Sequence, residues 1–137
     1  MHLLELAPGN RALLKYLIDA ERLGGRVHLH NYAASNVTQR LTIFKGLMTG
    51  DERGSALSGR KQHRLQQANA TIEVEALALD DFFAQQRLAS VYHVAIDTEG
   101  WDALVIEGMR RTLAQRRAGI VEFEINNEGM WLSLIHI

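Results

Sequence analysis

Two carboxylates and a glycine bring an apolar run to an abrupt end in Tyr92-His93-Val94-Ala95-Ile96-Asp97-Thr98-Glu99-Gly100-Trp101-Asp102, and a helical pattern follows at once. In open α/β sheets, ligands bind beyond the carboxyl ends of the strands, so Asp97 and Glu99 stand where acids do chemistry. An acid held inside an apolar strand for no such purpose would be unfavourable, because a buried charge loses its hydration. A carboxylate at a strand tip has two uses: it takes a proton from a reacting group, or it orients that group by accepting a hydrogen bond. On a continuing strand Asp97 and Glu99 would share a face, but the turn at Gly100 leaves their relative direction open. Glu99 has a second reading, as an acid favoured by the dipole at the start of the following helix.

Other residues with chemical potential are weaker signals. Glu5 closes the run His2-Leu3-Leu4 just before Ala7-Pro8-Gly9, which places it either at a strand tip or on a solvated turn. Glu124 ends the last apolar run, where it faces a substrate or simply shares a polar strand face with Glu122. His28 and His30 have the i, i+2 spacing that a metal uses. With no acid and no third histidine near them in the chain, they read as ordinary strand histidines, and no metal is expected. Arg60-Lys61-Gln62-His63-Arg64 reads as a solvated loop face rather than an anion site. There is no nucleotide-type glycine loop, nucleophile elbow or cysteine–histidine pair.

The elements that must position these acids follow from periodicity and punctuation. Residues 2–6 read as a strand stopped by Ala7-Pro8-Gly9. Asn10 suits a helix N-cap, Leu13, Leu14, Leu17 and Ile18 recur on one helical face, and Gly24-Gly25 supplies a stop. Residues 26–32 and 41–44 read as strands, separated from residues 71–76 by a long polar loop over 46–69 of the size that lids have. Asp80-Asp81 opens a short helix through Phe82, Phe83 and Leu88. A strand over 91–96 precedes a helix from Asp102 to Arg117, which Gly108 bends or interrupts and Gly119 stops. Residues 120–125 form the final strand. Strand–helix alternation at both ends predicts an α/β fold with a largely parallel sheet in one domain.

Composition narrows the classes. Over 137 residues, 15 basic against 16 acidic side chains give a net charge of -1, which offers no electrostatic case for nucleic acid or an acidic membrane surface. The absence of cysteine excludes disulfides and thiolate chemistry, and fits a reducing, cytoplasmic setting. No apolar stretch has the length of a transmembrane helix. A soluble protein is the expectation.

Taken in order, the motifs resemble the FkbM family of S-adenosylmethionine-dependent methyltransferases. The matching runs are Leu4-Glu5-Leu6-Ala7-Pro8-Gly9-Asn10, Asn31-Tyr32-Ala33-Ala34-Ser35, Leu79-Asp80-Asp81-Phe82, the box Ile96-Asp97-Thr98-Glu99-Gly100 with its helix, and Phe123-Glu124. The likeness spans Leu3 to Trp131. Ala95 stands where the family often has lysine, and Leu6-Ala7 separate the acid from its proline. The resemblance implies a Rossmann-like class I methyltransferase fold with a mostly parallel sheet. It also implies that the sheet is incomplete at both ends, since nothing before His2 supplies the family's first strand and glycine-rich cofactor turn. On this reading residues 1–131 are a partial domain, residues 132–137 a tail of doubtful origin, and cofactor binding by these residues alone is weak.

The resemblance also assigns functions. It implies S-adenosylmethionine as methyl donor and O-methylation of a hydroxyl on a sugar or other small metabolite. Glu5 then accepts from the two ribose hydroxyls, while Asn31 and Ala33 border the adenine. Asp97 becomes the residue that takes or orients the acceptor's proton, or contacts cofactor and substrate, with Glu99 beside it. Two other classes compete with this expectation. One is a non-catalytic module whose open sheet edges pair with another chain. The other is a dinucleotide-dependent oxidoreductase, which lacks its glycine fingerprint here.

Overall fold

His2–Leu4 forms β1, which runs parallel to β2, His28–His30, with Leu3 opposite Leu29. Between them α1 spans Pro8–Ala20. The structure, a computed structural model, describes residues 1–44, 71–98 and 100–125. After β2 come β3 (Ala33–Ser35), β4 (Gln39–Phe44), β5 (Thr71–Ala78), α2 (Leu79–Gln85) and β6 (Val91–Ala95). Two short helices, α3 (Asp102–Glu107) and α4 (Arg110–Ala114), lead to β7, Ala118–Glu122. The expected long loop over 46–69 and the tail 132–137 lie outside the described residues.

The α/β class expected from strand–helix alternation is present, and three of the four strand pairings are parallel: β1 with β2, β3 with β5, and β6 with β7. The fourth, β4 with β5, is antiparallel, with Arg40 opposite Glu75. The single largely parallel sheet is not what these strands make among the described residues. They form three small hydrogen-bonded sheets, and no ladder joins β1 to β6.

One core holds the three sheets together. Phe82, Met109 and Val105 are fully buried and pack with Leu77, Leu79, Phe83 and Ile96. Leu4 from β1, Ala34 from β3, Val94 from β6 and Val121 from β7 press against the same cluster. Removing such side chains from water contributes roughly 1.5–3 kcal/mol each. The placement of Leu79, Phe82 and Phe83 at i, i+3 and i+4 is what makes α2 the central helix of this core. By contrast α1 buries no residue at all; Leu13, Tyr16 and Leu17 of its apolar stripe are exposed.

Helix boundaries depart from the sequence expectations for local reasons. The N-cap of α1 is Ala7 rather than Asn10, because Pro8 takes the first helical position, where its fixed φ fits and its missing N–H is not needed. The stop is not Gly24-Gly25. The chain turns at Arg22, whose φ is 55°, with Leu23 N–H donating to the Ile18 carbonyl and Arg22 N–H to the Asp19 carbonyl. That pair of bonds is the Schellman arrangement, which satisfies the last carbonyls of a helix. It recurs after α2 at Arg87 and after α4 at Arg116, upstream of the expected stop at Gly119. Gly108 interrupts the 102–117 helix as its position suggested. A Cβ there would lie 2.0 Å from the Ser35 carbonyl oxygen, so only glycine lets α3 and α4 approach the end of β3.

Candidate functional site

The β6 exit is built by backbone first. Ile96 N–H donates to the Glu122 carbonyl at 2.9 Å, carrying the β6–β7 pairing one residue past the strand and burying Ile96 in the core. Asp97 follows with its side chain exposed, and no hydrogen bond reaches it among the described residues. The chain then turns: Trp101 N–H donates to the Thr98 carbonyl at 3.2 Å, and Gly100 adopts φ 94°, a conformation that an L side chain resists. Glu99 lies outside the described residues. Among the described residues Asp97 is thus an unpaired acceptor at a strand tip.

Glu5 is half-buried at the end of β1, and its backbone N–H continues the β1–β2 ladder to the His30 carbonyl at 3.1 Å. Its two oxygens are held by its own loop. Oε1 accepts from Ala7 N–H at 2.7 Å, and Oε2 accepts from Asn10 Nδ2 at 3.2 Å. Asn10 thus orients Glu5 rather than capping α1. A carboxylate offers about four acceptor positions, so roughly two remain for outside donors such as a vicinal diol. Leu4 packs against the cluster that contains Ile96, so the residues preceding Glu5 and Asp97 share one core. No hydrogen bond links the two carboxylates among the described residues.

Asn31 is exposed just beyond β2, and Ala33 sits half-buried in β3 opposite Ala76. Tyr32 between them lines an open cleft of about 340 Å³ with Thr38, Gln39, Arg40, Glu75 and Gln85 over a floor of Ala76 and Leu77. Among the described residues, Glu5, Asn31, Ala33 and Asp97 do not line that cleft, although Tyr32 places it next to two of them. Glu124, at the β7 exit, is exposed.

Two sets of side chains gain roles that the sequence did not mark, the first by assembly in one place and the second at two separate places. The first is a triad of imidazoles. His2 enters from β1, with its ring 5.1 Å from that of His28 and 5.2 Å from that of His30, and both His2 and His30 meet the Phe82 ring edge-on. His2 Nδ1 and His30 Nε2 lie 3.0 Å apart, so one nitrogen carries the proton and the other accepts it. Burial pushes the pKa of His2 down, reinforced by His30, His28 and the N-terminal ammonium; burial and then His28 do the same to His30. No group of three or more histidine, cysteine, aspartate or glutamate side chains among the described residues is arranged to hold a metal. The third histidine escaped notice because it lies 26 residues before His28 and arrives only through the parallel register of β1 and β2, where His2 faces His28.

The second group is acidic. Asp102 at the start of α3 is only 1% exposed, and it joins the β6 exit to the β7 exit. Asp80 at the start of α2 accepts from the Thr112 hydroxyl at 2.7 Å, Thr112 N–H at 2.9 Å and Arg111 N–H at 2.8 Å, fastening α4 to α2. Partial burial acts to raise the Asp80 pKa, but the Thr112 hydroxyl, the two amides and the Arg111 guanidinium outweigh it and hold the carboxyl below its ordinary range. In sequence both acids resemble ordinary first-turn helix acids, and nothing local marks Asp102 as buried or Asp80 as half-buried.

An α/β chain with acids at two strand exits over a shared core is the architecture on which many small-molecule enzymes are built. The family model described as the methyltransferase FkbM domain matches residues 4–133. This chain belongs to the FkbM methyltransferase family. Neither the curated proteins nor the solved structures contain a match to it. No helix among the described residues is long and apolar enough to cross a membrane.

Proposed function

We propose that the chain belongs to an enzyme that transfers the methyl group of S-adenosylmethionine to a hydroxyl on a sugar or other small metabolite. The single observation that carries this reading is the family match over residues 4–133, which includes both acid-bearing strand exits. In this reading Glu5 receives the two ribose hydroxyls with the acceptor positions left free by Ala7 and Asn10. Asn31 and Ala33 border the adenine from the β2–β3 connection. Asp97 accepts or orients the proton of the attacking hydroxyl, with Glu99 as a second candidate for that role. The cofactor supplies an electrophilic methyl on a sulfonium. The chain's own contribution is to bring the acceptor oxygen into line with it and to receive the proton as the new bond forms. Glu5 and Asp97 meet at one crevice in this account, supported by the common core beneath Leu4 and Ile96.

A thermal-shift series tests the reading. S-adenosylmethionine and its demethylated product at millimolar concentration are expected to raise the melting temperature, while a nicotinamide dinucleotide leaves it unchanged, since only a ligand bound to the native state stabilises it. Glu5→Gln keeps the fold and is expected to abolish the shift. A shift with the dinucleotide alone would move the protein to the oxidoreductase class.

A further inference from the structure

Asp102 is among the most completely buried side chains of the molecule, with 1% exposure, and a buried carboxylate is tolerated only where donors surround it. Its two oxygens divide their work. Oδ2 accepts from the Thr98 hydroxyl at 2.8 Å and from Thr98 N–H at 3.3 Å, while Oδ1 accepts from Glu124 N–H at 3.2 Å. Thr98 is the residue after Asp97, and Glu124 lies two residues past the end of β7. One side chain therefore ties the exits of two neighbouring parallel strands to each other and to the start of α3.

Hydrophobic packing alone does not need this arrangement. Ile96 and Val121 already fix the strands from the core side, and the β6–β7 ladder already fixes their register. What the ladder leaves undetermined is the path of the chain after Ile96, where Asp97 is exposed and without a hydrogen-bond partner among the described residues. The Asp102 bonds supply that constraint one residue further along, with Gly100 at φ 94° completing the turn. We infer that Asp102 is the positioning residue of the strand-tip site: it holds the Asp97-Thr98 segment against the β7 exit and so sets the direction in which the Asp97 carboxylate points. The positional role stands on the geometry; its relevance to methyl transfer rests on the function proposed above.

The test compares Asp102→Asn, Asp102→Ala and Thr98→Val with the unaltered 137-residue chain by amide NMR and residue-resolved hydrogen exchange. An asparagine offers one acceptor oxygen instead of two, so Asp102→Asn is expected to keep one anchor and lose the other. Either the Thr98 or the Glu124 amide then loses protection by about tenfold or more, while Asp102→Ala exposes both. The amides of Val94 and Ala95 and the melting profile of Asp102→Asn stay close to those of the parent. Thr98→Val shifts the Asp97 amide resonance without altering Glu124.

Two results would overturn the inference. One is unchanged Thr98 and Glu124 protection in Asp102→Ala. The other is a uniform loss of protection across all strands, which would make Asp102 a general stability residue. Titration of each variant with S-adenosylmethionine separates this inference from the functional reading. If the parent chain shows no cofactor-induced shifts but the exchange pattern holds, the positioning stands and the methyl-donor reading falls. If the parent and Asp102→Ala show the same cofactor-induced shift at Asp97, the positioning falls.

Discussion

Single side chains in this protein do more structural work as acceptors than as charges. Asp80 takes three hydrogen bonds from Arg111 and Thr112, of which Thr112 is only 1% exposed, whereas its ion pair to the half-open Arg111 guanidinium is 3.5 Å long. Exposed ion pairs contribute at most about 1 kcal/mol, while buried donors left without an acceptor cost more. Asp80→Ala is therefore expected to destabilise by about 2–3 kcal/mol in denaturant titration, and Arg111→Ala by less than about 1 kcal/mol. Equal effects of the two substitutions would contradict the assignment. Because the Asp80 pKa is held below its ordinary value, its contribution is present above about pH 3.8 and is lost as the pH falls below that.

The same lesson separates what was legible from what was not. Asp97 was legible because an apolar run stops on it, and the structure places it exposed at the strand exit as expected. Asp102 was not, because a carboxylate at the first turn of a helix is ordinary in sequence. Only the folded path of Thr98 and Glu124 around it reveals that it is buried.

At the scale of elements, strands were the easier reading. β1, β2 and β6 fall within the expected segments, because apolar alternation and turn residues are local signals, while β5 runs two residues beyond its segment and β7 starts two residues before its own. Helix ends were harder. Glycine is the usual residue for the left-handed position that closes a helix, yet here arginine occupies it at Arg22, Arg87 and Arg116, while the nearby glycines lie beyond. An L residue in that conformation gives up roughly 1 kcal/mol or more relative to glycine. Arg87→Gly, at the end of the core helix α2, is expected to raise stability by about 1 kcal/mol in chemical denaturation. A loss of stability would show that the arginine side chain compensates for its backbone.

The imidazole triad makes the β1–β2 element responsive to acid. His2 and His30 are harder to protonate in the folded chain than in the unfolded one, so the unfolded state binds more protons below the ordinary imidazole value of 6.5. The stability linked to them is complete above that pH and declines as the pH falls below it. The titratable neighbours are His28 and the N-terminal ammonium, with Phe82 of α2 and Tyr32 adding only aromatic surface. Thermal melts from pH 7.5 to 5 are expected to show a falling midpoint in the parent chain and a flatter profile in a His2→Gln, His30→Gln double variant. Parallel profiles would remove the triad from the explanation.

For the molecule as a whole, the main contrast is between the core and its surroundings. Phe82, Met109 and Val105 gather side chains from all three sheets, yet the sheets do not share hydrogen bonds among the described residues, and α1 contributes no buried residue. The class of fold was readable from alternation alone. The division into three sheets was not, because pairing between strands distant in sequence depends on which edges meet, and no local pattern encodes that. The proposed function places Glu5 and Asp97 at one crevice, above the core that Leu4 and Ile96 share. Amide NMR during titration with S-adenosylmethionine tests that convergence directly. The amides at Glu5 and Asp97 are expected to shift together along a single saturation curve, with Asn31 and Ala33 following. Movement of only one of the two acids, or of the Arg40 and Glu75 cleft alone, would contradict it.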